Sequence, residues 1–104
     1  MRTSIFVLTI LAATAVPAGA EPRSGAQLYQ DHCAACHHPS NVMVSSPKAG
    51  SDRDWAPRLQ KGLPGLTQSA VEGFEAMPPN GNCEDCTPSE IEAAIRFMAN
   101  IKTP

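Results

Sequence analysis

The chain is 104 residues long, which is room for one domain. From residue 21 onward only twelve of 84 residues are Leu, Ile, Val or Phe, below the roughly 20% at which a chain begins to look unable to fold unaided. The same stretch sets seven basic against ten acidic side chains, a net of −3, so it lacks both the basic surface of a general nucleic-acid binder and the strong self-repulsion that usually marks disorder. What remains is a small domain held by something besides aliphatic side chains; a large enzyme and a multi-span membrane protein are excluded.

Residues 1–20 read as a secretory signal peptide. Arg2 is the positive flank, Ile5 to Val16 is an uncharged apolar run, and Ala18-Gly19-Ala20 places small residues before a cut after Ala20. The alternative is a membrane anchor, but the run is about 12 residues, short of the roughly 20 needed to span a bilayer. No Cys lies near the cut to carry a lipid. The expected working domain is therefore 21–104, in the periplasm, where disulfides persist.

The first helix is expected from about Ser24 to His37. Ser24 and Gln27 have the spacing of a capping box, and Ala26, Tyr29, Cys33 and Cys36 recur near helical spacing. Residues 38–53 read as loop, broken by Pro39, Pro47 and Gly50. A short helix should begin with Asp54 as N-cap, Pro57 falling in its first turn, and close at Lys61-Gly62. Gly62, Pro64 and Gly65 then read as a turn. A third helix is expected from Thr67 to Ala76, with Ala70, Val71 and Phe74 on one side, stopped by Pro78-Pro79. Asn80 to Cys86 reads as a tight polar loop. The last helix has Thr87 as N-cap, Pro88 at its first position and Glu90 at its third. Ile91, Ala94, Ile95, Met98 and Ile101 form its apolar stripe, so Met98 is a core residue. The fold class is all-α, three to four short helices and loops, with no convincing strand.

Cys33-Ala34-Ala35-Cys36-His37 is a C-x-x-C-H motif, the attachment signature of c-type haem. Two cysteines three apart on a helical turn face the same way and reach two vinyl groups along one porphyrin edge. The next residue then brings its imidazole under the iron. A thioredoxin-like dithiol would sit beside a βαβ pattern, which is missing. A four-thiolate zinc site from Cys33, Cys36, Cys83 and Cys86 would need an unusually long gap between its pairs. The second axial ligand must come from the opposite face of the ring. Met77 fits, 40 residues after His37 and stiffened by Pro78-Pro79. Met43 is too close in sequence to pass around the porphyrin edge, and His32 and His38 meet the same objection and read as surface residues. With His37 and Met77 both bound, iron has no open site for substrate, and methionine raises its reduction potential. Chemistry at the metal reduces to one-electron exchange.

With these residues the chain resembles the small bacterial class I c-type cytochromes, specifically the cytochrome c5 group, over about residues 24–101. The resemblance rests on Cys-Ala-Ala-Cys-His at 33–37, Asp-Trp-Ala-Pro-Arg at 54–58, Ala-Met-Pro-Pro at 76–79, Gly-Asn-Cys-Glu-Asp-Cys at 81–86 and the last helix. It implies the class I cytochrome c fold wrapped around one covalently attached haem c, with Cys33 and Cys36 as thioether anchors and His37 and Met77 as iron ligands. It further implies that the Pro47 carbonyl accepts a hydrogen bond from His37, that Trp55 and Arg58 lie near the haem propionates, and that Cys83 and Cys86 form a disulfide. Gly25 and Tyr29 would face Phe97 where the first and last helices cross. His38 to Met43 stands where the family usually has a glycine-rich segment. The expected function is a soluble electron carrier, not an enzyme, with redox proteins as donor and acceptor and transient contact with membrane-bound respiratory complexes. The alternative is a dedicated electron-transfer subunit of an oxidoreductase.

Overall fold

The structure is a computed structural model and describes residues 3–13 and 21–102. Arg2 and the Ala18-Gly19-Ala20 cleavage signal lie outside the described residues. Among the described residues no helix is long and apolar enough to cross a membrane. The elements are α1 (Gly25–Leu28), a π-helical turn (Tyr29–Cys33), α2 (Ala34–His37), α3 (Asp52–Trp55), a 3-10 turn (Arg58–Lys61), α4 (Gly62–Glu72), a second 3-10 turn (Pro79–Asn82) and α5 (Pro88–Met98). Among the described residues the only β pairing is one isolated bridge between Phe74 and Met77.

Helix α5 follows its local signals closely. The Thr87 hydroxyl accepts from the Glu90 amide, and the Glu90 carboxylate accepts from the Thr87 amide, so both halves of the capping box are made. Ile91, Ala94, Ile95 and Met98 are buried, and Met98 is core as expected. Ile101 lies beyond the helix end and is half-buried.

The first helix has the expected ends but not the expected interior. Ser24 caps it by accepting from the Gln27 amide at 3.1 Å. A π turn then inserts between α1 and α2, which changes the facing of everything after it. Leu28, not Ala26, is the buried residue of α1, and Cys36 is exposed. The crossing with α5 is close. A Cβ on Gly25 would run into the Ala93 carbonyl and lie 3.2 Å from Phe97 Cβ. Tyr29 and Phe97 meet there, with ring centroids 5.2 Å apart.

Two middle helices differ from expectation. Helix α3 begins at Asp52, capped by Ser51, whose hydroxyl accepts from the Asp54 amide. Ser51 and Asp54 have the same three-residue spacing as a side-chain cap and its amide, and the serine takes the cap. Asp54 is therefore inside the helix and Pro57 precedes the 3-10 turn. Helix α4 begins five residues before the expected Thr67 and ends at Glu72. Pro64 sits in its first turn, where no intrahelical amide is lost, so Gly62, Pro64 and Gly65 start a helix and do not form a separate turn. Gly73, at φ +90°, ends it. Phe74 consequently leaves the helix and is half exposed.

The core is Leu28, Tyr29, Trp55, Leu66, Ala70, Ile91, Ala94, Ile95, Met98 and Ala99 with the sulfurs of Cys83 and Cys86. Cys33, Leu59, Leu63, Val71 and Met77 pack against it while keeping part of their surface accessible.

Candidate haem site

The π turn and α2 deliver Cys33, Cys36 and His37. Both cysteines are free thiols, Cys33 half-buried and Cys36 exposed. Burial pushes the Cys33 thiol up to about 11. A thiol shifted upward by burial is the opposite of the lowered thiol of a redox-active dithiol. Cys83 and Cys86 are joined as a disulfide, with Cα atoms 5.5 Å apart. The four cysteines therefore do not form one thiolate set. His32 is half-buried beside that disulfide and not a free surface residue. His38 is exposed and bonded to Ser40.

His37 is held from two directions. Its Nδ1 lies 2.7 Å from the Pro47 carbonyl, which the ring N–H donates to. Its own carbonyl accepts from the Ala49 amide at 2.8 Å. His37 as a whole is only 8% exposed, and its ring stacks on Trp55 at 23°, with centroids 6.2 Å apart. Burial lowers its proton affinity; the Lys48 and Arg58 charges lower it further, against the opposing pull of the Pro47 carbonyl. The ring is neutral with Nδ1 spoken for, which leaves Nε2 as the lone-pair donor. That is the tautomer an axial histidine needs.

The strap Pro47-Lys48-Ala49 is itself fixed by α3. The Lys48 amide donates to Asp54 Oδ2 at 3.1 Å, and the Lys48 carbonyl accepts from Trp55 Nε1 at 2.9 Å. Trp55 thus spends its single N–H donor on the strap and its face on His37. Arg58 is exposed, and its Nη1 donates to the Asp54 carbonyl. Lys48 was not legible as a site residue, because its contacts exist only once residues 38–53 have folded back on α2.

Met77 sits on the loop between α4 and α5. Its amide and carbonyl both pair with Phe74, at 2.8 and 3.1 Å. A Cβ on Gly73 would press on the Met77 carbonyl and the Pro79 ring at 3.2 Å. A Cβ on Gly81 would stand 3.7 Å from the Met77 methyl. Glu75, Asn80 and Asn82 have positive φ without being glycine, so the loop is held in a shape most residues avoid. Met43 is 90% exposed and Met98 is 3% exposed. Among the described methionines, Met77 alone combines partial burial with a loop.

These donors fit a c-type haem. Two unpaired thiols precede a histidine whose Nδ1–H is donated to Pro47, and a thioether sits on a separate shaped loop; Met77, Leu59, Leu63 and Val71 all pack against the core while keeping part of their surface accessible. The buried Asn80 Oδ1, on the methionine loop, has no partner among protein atoms, as befits a polar atom that abuts a bound group.

The chain is similar to known proteins over most of its length. The family model described as cytochrome c oxidase, cbb3-type, subunit III matches residues 20–98. Cytochrome c5 of Ectopseudomonas mendocina is 37% identical over 89 residues, covering 84% of this chain and all of the relative. Cytochrome c5 of Azotobacter vinelandii is 36% identical over 85 residues, covering 80% of this chain and all of the relative. Among solved structures, a mono-haem ferrocytochrome c from Shewanella putrefaciens superposes with a TM-score of 0.66 at 40% identity, over 80% of this chain and all of the other. A chain from the electron transfer complex of nitrite reductase with cytochrome c gives 0.64 at 34% identity, over 73% of this chain and 90% of the other.

Proposed function

This chain belongs to the small c-type cytochromes, in the cytochrome c5 group, and from that membership we propose that it is a soluble one-electron carrier of a periplasmic chain with histidine and methionine as its axial ligands. It is an electron-transfer protein, not an enzyme, with the class I fold and one covalently bound haem c. Bound haem supplies an iron centre that gains and loses one electron. Cys33 and Cys36 would anchor it through thioethers. His37 would offer Nε2 on one face, oriented by the Pro47 carbonyl, with Trp55 as the wall behind the ring. Met77 would offer its sulfur on the other face. Arg58 would meet a propionate with the guanidinium nitrogens not used by Asp54.

One observation carries this reading: the buried His37, with its Nδ1–H donated to the Pro47 carbonyl, directly after two free thiols. The ligand pair is tested by absorption spectroscopy and a potentiometric titration of the purified protein. Expected are a six-coordinate low-spin spectrum, a one-electron couple and a methionine-to-iron charge-transfer band in the ferric form. Ready binding of carbon monoxide to the ferrous form at neutral pH would overturn His/Met ligation.

Export completes the reading. Cleavage after Ala20 would release 21–104 into the periplasm, and the contact of Arg23 with Glu90 supports a domain that starts near Glu21. Its partners are then redox proteins. A second reading, a fixed subunit of an oxidoreductase, is favoured by the oxidase-subunit description of the matching family model. Stable co-purification with one enzyme would support the subunit; exchange with several partners supports the carrier.

A further inference from the structure

Lys48 belongs to no motif of the sequence, yet it ties the proximal side together. Its ammonium has three N–H donors and three oxygens around it: Val44 O at 2.7 Å, Ser46 Oγ at 2.8 Å and Cys36 O at 3.2 Å. Ser46 Oγ also donates to the Cys36 carbonyl, at 2.6 Å. The residue is half-buried. Its contacts are neutral dipoles and none is a carboxylate. The Asp54 carboxylate on α3 faces the Lys48 amide and Arg53 instead. The positive charge is thus held in place without being cancelled. It rests on the last turn of α2, one residue from His37, while its neighbours Pro47 and Ala49 bond to His37 itself.

We propose that Lys48 is a positioning residue for the proximal histidine and a fixed positive charge that raises the reduction potential of the bound haem. The proposal rests on His37 being the proximal ligand. Gaining one electron lowers the charge at the iron by one unit, so a nearby immobile cation favours the reduced form. Partial burial limits its screening by salt. The three hydrogen bonds stop the ammonium from swinging into solvent, where the effect would fade.

The test is a potentiometric titration of holoprotein variants, with the visible spectrum recorded alongside. Lys48→Gln keeps an N–H donor and removes the charge; Lys48→Arg keeps the charge; Ser46→Ala keeps the ammonium and removes one acceptor. At fixed poise, Lys48→Gln should lower the ferrous-to-ferric ratio roughly threefold to tenfold, tenfold being ~59 mV for one electron. Lys48→Arg and Ser46→Ala should stay close to wild type. A Lys48→Gln midpoint that does not move, with an intact low-spin spectrum, overturns the role of Lys48 and leaves the carrier reading standing. A Lys48→Arg midpoint that falls as far as Lys48→Gln shows that charge is not the cause and also overturns it. A wild-type protein without a reversible one-electron couple overturns both.

Discussion

Arg23 and Glu90, 67 positions apart, are joined by three bonds: the Arg23 amide and Nε both reach Glu90 Oε2, at 3.0 and 2.9 Å, and Nη2 reaches Oε1 at 3.2 Å. The same Nη2 touches Asp85 Oδ1 at 3.2 Å. One carboxylate thereby fastens the segment just before α1 to α5 while also serving as the third residue of that helix's capping box. Its carboxyl is held down to about 2 from an ordinary 4.5, first by the Arg23 side chain, then by the Thr87 and Arg23 amides.

A depressed folded-state value means stability that is present above the unfolded value and lost as pH falls. The advantage of wild type over Glu90→Gln should therefore be full above about pH 4.5 and vanish as pH drops through about 2. Denaturant midpoints of the two proteins across that range check it. Parallel curves would show that the pair contributes nothing through ionisation.

Gly25→Ala should destabilise by about 1–3 kcal/mol, the usual cost of overpacking. The new methyl would run into the Ala93 carbonyl, a backbone group that cannot swing aside, so α1 and α5 must separate. Thermal unfolding measures the loss, and a variant as stable as wild type would show that the crossing yields easily.

Trp55→Phe keeps a ring against His37 but removes the donor to the Lys48 carbonyl. Leaving that acceptor without its partner should cost about 1–3 kcal/mol. Chemical denaturation followed by haem absorption reads it.

Reducing the Cys83–Cys86 disulfide should lower stability by ~2 kcal/mol on the chain-entropy model for a four-residue loop. Thiol labelling of the native holoprotein should find no free thiol, and two after reduction. Two before reduction would refute the disulfide.

Met77→Ala should open the distal position, so that the ferrous protein binds carbon monoxide. Met77→His should keep six ligands and lower the potential. If neither change alters the spectrum, Met77 is not the ligand.

The elements legible in the sequence were those defined by neighbours along the chain. Thr87, Pro88 and Glu90 set the start of α5 within four residues, and the C-x-x-C-H motif carries its own chemistry. Pro64 and two glycines suggest a turn where helix α4 begins; a proline is acceptable in a first turn, and only the packing of Leu66 and Ala70 shows that a helix follows. Its end lies before Phe74, against the apolar spacing, because the pairing of Phe74 with Met77 takes Phe74 out of the helix. Lys48 was invisible because its three acceptors come from α2 and a loop with no periodic pattern. The low aliphatic content is explained in the same way: the helices of this family wrap a porphyrin, and composition counts side chains only.

The π turn at Tyr29–Cys33 has a consequence for how this chain tolerates change. A π turn holds one residue more than the α-helical turn it replaces, and one residue of α-helix corresponds to a rotation of about 100°. Upstream of it, Gly25 and Leu28 are indexed to α5; downstream, Cys36 and His37 are indexed to the strap at Pro47. The turn acts as a phase shifter between two gears on one shaft. Deleting Gln30 alone would give a uniform helix with both gears still in register, because the wide turn absorbs one residue; deleting Gln30 and Asp31 together would throw them out of phase by about 100°, although every residue named in the site would still be present.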